Sequence, residues 1–241
     1  MNFKIERSDD VDLGIERLSI KMAEETIQAF KAKGHAHIFL SGGATSASLV
    51  KFYGQSLREK SRNYSRDKLL TLNIWFSDER FVKKDSNFRN DIKLISILRE
   101  QNFGFTIKFH RFPSPQEIGK KSAIDFMDEL LEETLGDSNF DIGSLSFAKD
   151  GHLASIFAIN PYQESECNCL MTESSKFPKQ RITFSIERLA KCNNLNISVF
   201  GKHKEVIFKN EITNPQSKIS SLLFLNNSIP TSNLPSIFTD F

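Results

Sequence analysis

The sequence is short of most features that would narrow its chemistry at once. Its 241 residues hold three cysteines, Cys167, Cys169 and Cys192. An odd number cannot all pair within one chain, and the C-x-C spacing of the first two comes without the further ligands a zinc site needs. A reducing compartment is the expectation. No apolar run approaches the ~18 residues of a membrane span, and the amino terminus, MNFKIERSDD, lacks the apolar core of a signal peptide. A soluble, cytoplasmic protein without a membrane partner is therefore expected. Excess charge is missing too. Thirty-two Lys plus Arg against thirty Asp plus Glu leave +2, so there is no general basic field for nucleic acid, and any anion site has to be local. No Pro/Gly/Ser-rich linker, repeat or heptad run divides the chain, which is read as one domain over residues 1–241. Walker, dinucleotide-fingerprint and G-x-S-x-G spacings are absent, as is a metal-ligand cluster.

What is present is an alternation of strand and helix patterns. Asp9 and Asp10 open an amphipathic helix carrying Ile15, Leu18, Met22 and Phe30, with Gly34 where a left-handed cap would end it. Ala36 to Leu40 is a strand, followed by Ser41 to Thr45 and a helix with Leu49, Val50 and Tyr53 turned inward. Leu69 to Phe76 is the next strand. Ser86 is placed to cap a helix starting at Asn87, with Phe88, Ile92, Ile95 and Leu98 inside. Thr106 to Phe112 is a strand, and Ser114, Pro115 and Glu117 form a capping box for a helix running to about Leu135, before Gly136. The stretch Phe140 to Phe157, FDIGSLSFAKDGHLASIF, reads as strand, tight turn at Gly151, then a helix with Leu153, Ile156 and Phe157 on one face. Asn160 to Gln180 is polar and irregular. Arg181 to Phe184 is extended, Ile186 to Lys191 makes one or two helical turns, and Leu195 to Phe200 is a strand. A short helix follows through Val206, Ile207 and Phe208. Ser221 to Leu225 is the last strand, and the tail from Asn226 is turn-rich.

Such alternation predicts an α/β fold, a doubly wound, mostly parallel sheet with helices on both faces and right-handed crossovers. In a parallel sheet every carboxyl end faces one edge, where ligands bind. Four turns then converge: Gly42 to Thr45, Asp78 to Arg80, Asp150 to His152 and Gly201 to Lys204. The Gly42 and Gly43 backbone, the Thr45 hydroxyl, Arg80 and Lys204 suit a phosphate monoester, with Arg as a planar fork and Lys as a mobile point charge. His152, with an unperturbed pKa of about 6.5, is available as a neutral base, and Asp150 or Asp78 can orient it or the substrate hydroxyls. Taken singly, each is an ordinary surface turn. Together they suit hydrolysis of a phosphorylated substrate by an activated water.

These residues also carry a resemblance. Ser41-Gly42-Gly43-Ala44-Thr45, the W-x-x-D-E-R-x-V run from Trp75 to Val82 with Ser86-Asn87 beyond it, Asp150-Gly151-His152 with Ala154 to Phe157, Arg181-Ile182-Thr183, and Gly201-x-x-Lys204 resemble the 6-phosphogluconolactonase family over nearly the whole chain. The resemblance implies hydrolysis of 6-phospho-D-glucono-1,5-lactone to 6-phosphogluconate in the oxidative pentose phosphate pathway, without metal or cofactor. It implies His152 as the general base, and Arg80, Lys204 and the Gly42, Gly43 and Thr45 turn on the phosphate. Asp78 and Asp150 take orienting roles. The related glucosamine-6-phosphate isomerases carry D-E-Y where this chain has Asp78-Glu79-Arg80, which favours the lactonase.

The chain departs from the family where L-G-M-G-P-D-G-H becomes Leu145 to His152 with Ser146, Ala148 and Lys149 in place of both glycines and the proline; Ser46 also replaces a proline. Two alternatives follow: a sugar-phosphate-binding protein without turnover, and a phosphorylated amino-sugar isomerase or deaminase.

Overall fold

A computed structural model of the chain describes residues 3–62, 69–118, 122–157, 167–213, 225 and 234–241. Seven strands form one parallel sheet in the order β1 (Lys4–Arg7), β10 (Ser236–Thr239), β9 (Asn194–Val199), β6 (Ile142–Ser146), β2 (His35–Leu40), β3 (Thr71–Phe76), β5 (Thr106–His110). The inner strands are buried almost throughout and read as continuous apolar runs, as strands covered on both faces must. From β2 the chain winds one way through β3 and β5 and the other way through β6, β9 and β10. The edge above β2 and β6 is therefore the point where strand order reverses.

Helix α1 (Val11–Lys33) follows its sequence signals closely. The Asp10 carboxylate accepts from the Leu13 N–H at 2.8 Å, and Gly34, at φ 75°, ends the helix with its N–H on Phe30 O. Its buried stripe lies on the sheet face that carries Asn196 and Phe238. Asn196 Nδ2 donates to Glu25 at 3.0 Å, and Lys21 Nζ sits 5.5 Å from the Phe238 ring. Beside it α2 (Ser46–Ser61) is joined through the buried Thr26 and Tyr53 hydroxyls, 3.0 Å apart.

The opposite sheet face is aromatic, and a second sheet covers it. Three antiparallel strands, β4 (Asp78–Arg80), β8 (Gln180–Phe184) and β7 (Cys169–Glu173), set Phe184 against Trp75, Phe112 and Phe140. This sheet was not foreseen, because the alternating burial of Cys169 to Glu173 hides in a stretch that sequence reads as polar and irregular. Residues 160–166 of that stretch lie outside the described residues.

Other expectations also change. The helix expected after Gly151 is a tight turn, with a single bridge between Leu153 and Ile156 and Ala154 at φ 52°. Ser155 is tied there by its hydroxyl to Asp78 and by its carbonyl to Thr172, which holds the backbone out of a helix. Helix α3 (Asn90–Arg99) starts three residues later than Asn87, and Phe88 and Ile92 are exposed rather than inward. Ser114 and Glu117 close a turn, while α4 (Ala123–Thr134) takes Ser122 as its cap. Residues 221–224 of the expected last strand lie outside the described residues and Leu225 is helical; the strand is β10, four residues directly after Pro235. Edge strand β1, Lys-Ile-Glu-Arg, is too short and too charged to stand out. α5 (Ile186–Ala190) and α6 (Glu205–Thr213) fall where expected. Among the described residues no helix is long and apolar enough to cross a membrane, and all three cysteines are free thiols.

The covered aromatic face also buries polar groups. His110 stacks on Trp75 with ring centroids 4.2 Å apart, and its Nε2 lies 3.0 Å from Asn73 Oδ1; the Trp75 indole N–H points to His37 Nδ1. Burial is the main reason that both imidazoles titrate at about 4 rather than 6.5. The unfolded chain takes up these protons from about pH 6.5 and the folded chain only near 4, so stability is full above 6.5 and falls as pH drops through that interval. Thermal unfolding across pH 7 to 4 should show the decline, and His110→Phe, which keeps the stack, should make it shallower; identical slopes would exclude His110 as a contributor.

Candidate active site

The site begins where one strand changes sheets. β3 continues through Ser77, whose N–H still donates to Leu40 O, while Ser77 O accepts from Phe184 N in the second sheet. Beyond it Asp78 and Arg80, two apart, face the same side, and Glu79 points the other way into the interior, where it is 0% exposed. Both oxygens of Asp78 accept from hydroxyls, Ser77 at 2.8 Å and Ser155 at 2.6 Å. Arg80 Nη1 donates to Phe88 O at 2.7 Å and to Asn90 Oδ1 at 2.6 Å.

Glu79 supplies the missing helix cap. Its Oε1 accepts from the N–H groups of Arg80 and Asn90, and its Oε2 from Asp91, all at 2.8–2.9 Å. One buried carboxylate thereby holds the first two N–H groups of α3 and the backbone of Arg80 together. Burial, and then the Asp91 carboxylate, push its pKa up to about 7. Asp91 is itself gripped by Arg89 at 2.6 Å and Arg111 at 2.8 Å.

Asn90 reaches across to the glycine turn. A Cβ on Gly42 would lie 2.3 Å from Asn90 Nδ2, so only glycine admits this approach. Gly43, at φ 127°, crosses over Ser146. The Ser46 hydroxyl bonds back to Gly43 O at 2.8 Å, and the Thr45 side chain makes no cap bond. The amino end of α2, without an acidic residue in its first turn, thus opens toward the cavity as a local positive pole.

After β6 the chain makes a tight turn in which Gly151 N–H donates to Ala148 O and Ala148 N–H to His152 O, with Gly151 at φ 86°. His152 Nδ1 lies 2.5 Å from Asp150 Oδ1, and its ring lies against Phe157. After β9, Gly201 at φ 101° leads into a single helical turn over Lys202–Lys204. Burial chiefly, and Lys149 secondarily, lower the pKa of Lys204, while Asp240 opposes the shift.

These turns share one cavity of about 580 Å³. Gly42, Gly43, Thr45, Asp78, Arg80, Asp150, His152 and Lys204 all line it, although they come from four separate parts of the chain. Sequence reasoning did not place Asn90, Lys176 or Arg181 there, whereas His203 comes with the Gly201 to Lys204 turn. For Arg181 the signal was present in the Arg181-Ile182-Thr183 motif. Burial, and then Arg80, lower the pKa of its guanidinium. A depression of about 700 Å³ over α3 and β5 is larger, but none of the four turns reaches it.

The architecture is that of a parallel α/β protein whose site sits at the strand-order reversal. Residues 9–223 match the family of glucosamine-6-phosphate isomerases/6-phosphogluconolactonase, and the chain belongs to that family. It is 26% identical over 183 residues to the 6-phosphogluconolactonase of Chlamydia pneumoniae, covering 76% of this chain and 67% of that protein. It is 24% identical over 234 residues to a probable 6-phosphogluconolactonase of Schizosaccharomyces pombe, covering 91% and 88%. The crystal structure of a Shewanella baltica 6-phosphogluconolactonase superposes with a TM-score of 0.76 at 21% identity, over 99% of this chain and 97% of that one.

Replacing Glu79 with Gln turns one of its two acceptor positions into a donor facing a backbone N–H. Burying that mismatch should cost about 1–3 kcal/mol, read as a lower urea midpoint at unchanged m; a midpoint equal to wild type would show that the carboxylate is not the cap.

Proposed function

We propose that the protein hydrolyses a phosphorylated sugar lactone, 6-phospho-D-glucono-1,5-lactone, to 6-phosphogluconate. The observation that carries this reading is one cavity that holds an imidazole backed by a carboxylate together with several cations. With Nδ1–H directed at Asp150, Nε2 of His152 keeps its lone pair for a proton from water. The water oxygen bonds to the lactone carbonyl carbon as His152 takes its proton. The carbonyl oxygen becomes an oxyanion among nearby donors, and the ring C–O bond then breaks as the ring oxygen receives the proton from His152. Neither water nor substrate needs a redox change, so the step balances with these groups alone.

Arg80, Lys204 and the Gly42, Gly43 and Thr45 turn bind the phosphate in this reading, and Asp78 orients hydroxyls through the cavity wall. The family also contains amino-sugar phosphate isomerases, which provide the second reading. Arg80 in place of Tyr weighs against it, and ammonia release from glucosamine 6-phosphate would favour it. A binding protein without turnover is the third.

Lactone decay is the deciding measurement. His152→Ala should lower kcat by about 10²–10⁴-fold, whereas equal acceleration by both proteins would remove His152 as the base. No acceleration by wild type, with 6-phosphogluconate still bound, would favour the binding protein. Arg80→Ala should chiefly raise KM, because a phosphate ligand away from the reacting carbonyl contributes the same binding to ground and transition states; a fall in kcat at constant KM would contradict that role.

A further inference from the structure

The turn after β6 carries Lys149 where the family pattern has a proline, and its neighbour in space is the turn that carries Lys204. β6 and β9 are hydrogen-bonded neighbours in register, Ser146 opposite Ser198, and Phe147 N–H donates to Ser198 O at the end of the pair. Just beyond the pair, the β6 end leads into the turn with Lys149 and the β9 end into Gly201. Closure of the Ala148–Gly151 turn puts Lys149 at its first corner, and the helical turn after Gly201 brings Lys204 back. Both side chains line the same cavity. Among the nearby carboxylates, Asp150 accepts from His152, Asp240 accepts from the Gly201 N–H at 2.8 Å and also favours the charged form of Lys204, and Glu211 packs against Gly151.

We propose that Lys149 and Lys204 form a two-ammonium clamp for the substrate phosphate, so that Lys149 is a phosphate-binding residue in this chain. The inference rests on the sugar-phosphate reading above and adds a ligand to it. Both residues border one concavity, and Lys149 is the charge that adds to burial in lowering the pKa of Lys204, against the opposing pull of Asp240. A phosphate dianion suits the pair, since its oxygens accept from both ammoniums at once. Ser146 and Ala148 complete the replaced loop and line the cavity with Lys149.

Lys149 is exposed, so its replacement leaves the core untouched. Calorimetric titration with 6-phosphogluconate, inorganic phosphate and gluconate separates the possibilities. Lys149→Met should weaken the first two about tenfold, as loss of one charge-assisted contact implies. Gluconate binding should not change, and Lys149→Arg should restore phosphate affinity to within about threefold. Lys149→Met should also raise KM for the lactone more than it lowers kcat. Phosphate affinity equal to wild type, or an equal loss for gluconate, would overturn the clamp. Wild type that binds both phosphate ligands yet leaves lactone decay unaltered would overturn the hydrolase reading while the titrations still decide the role of Lys149.

Discussion

Everything at this site depends on parallel pairing. β9, β6, β2 and β3 are adjacent, hydrogen-bonded and aligned in one direction, so their carboxyl ends leave a single edge at the ~4.8 Å spacing of neighbouring strands. Residues more than a hundred positions apart become neighbours through backbone geometry alone. Asp141 shows how firmly this is pinned at the far end, where its carboxylate accepts from His37 N–H and pairs with Lys33 at 2.7 Å. A one-residue slip of any of these strands would exchange its two buried faces, moving Phe39 and Trp75 off the aromatic side where their partners lie.

Parallel strands deliver turns to an edge but do not shape them, and here a second layer does the shaping. The small antiparallel sheet captures the extension of β3, so that Asp78 and Arg80 leave the main sheet with a defined facing. A chain of contacts then runs from Thr172 through Ser155 to Asp78, and another from Glu79 through Asn90 to Arg80 and Gly42. Each polar group that is buried to do this has a partner, which is the condition for burying it at all. Glu79 is the costly member, with its pKa at about 7, and three backbone donors offset that cost.

The main sheet and the grouping of four turns were readable because their signals are local and repeated: apolar runs of five or six residues, Gly34 as a cap, glycines at 42, 43, 151 and 201. What escaped was set by tertiary partners. Nothing in the residues themselves marks Cys169 to Glu173 as a strand, because only Cys169 is buried while Met171 and Glu173 face solvent. Leu153, Ile156 and Phe157 have helical spacing, yet two cross-chain hydrogen bonds at Ser155 hold a turn instead. The start of α3 moved for the same reason, since its cap is a carboxylate eleven residues upstream of Asn90 rather than the adjacent Ser86. The eight residues named from the sequence share one cavity, whereas Asn90 and Lys176 needed coordinates to be placed there.

The distribution of charge along the edge gives the cavity a direction. Arg80 and Arg181 are cross-strand partners on the β4–β8 pair, while Lys149 and Lys204 follow β6 and β9. Cations thus approach from both walls, and the His152 imidazole, on the β6 turn, has Asp150 behind it as a fixed acceptor. Burial is the main cause of the lowered pKa values of Arg181 and Lys204, and a neighbouring like charge adds to it in each, Arg80 in the first and Lys149 in the second. An anionic ligand balances these like charges, and it gains most when its charge lies far enough from the reacting carbon that the imidazole stays free to accept a proton. The proposed substrate, a six-membered lactone ring of five carbons and one oxygen with its phosphate on the carbon outside the ring, meets both conditions. In such a site the cations of both walls serve the phosphate end, and the uncharged end is left to the chemistry.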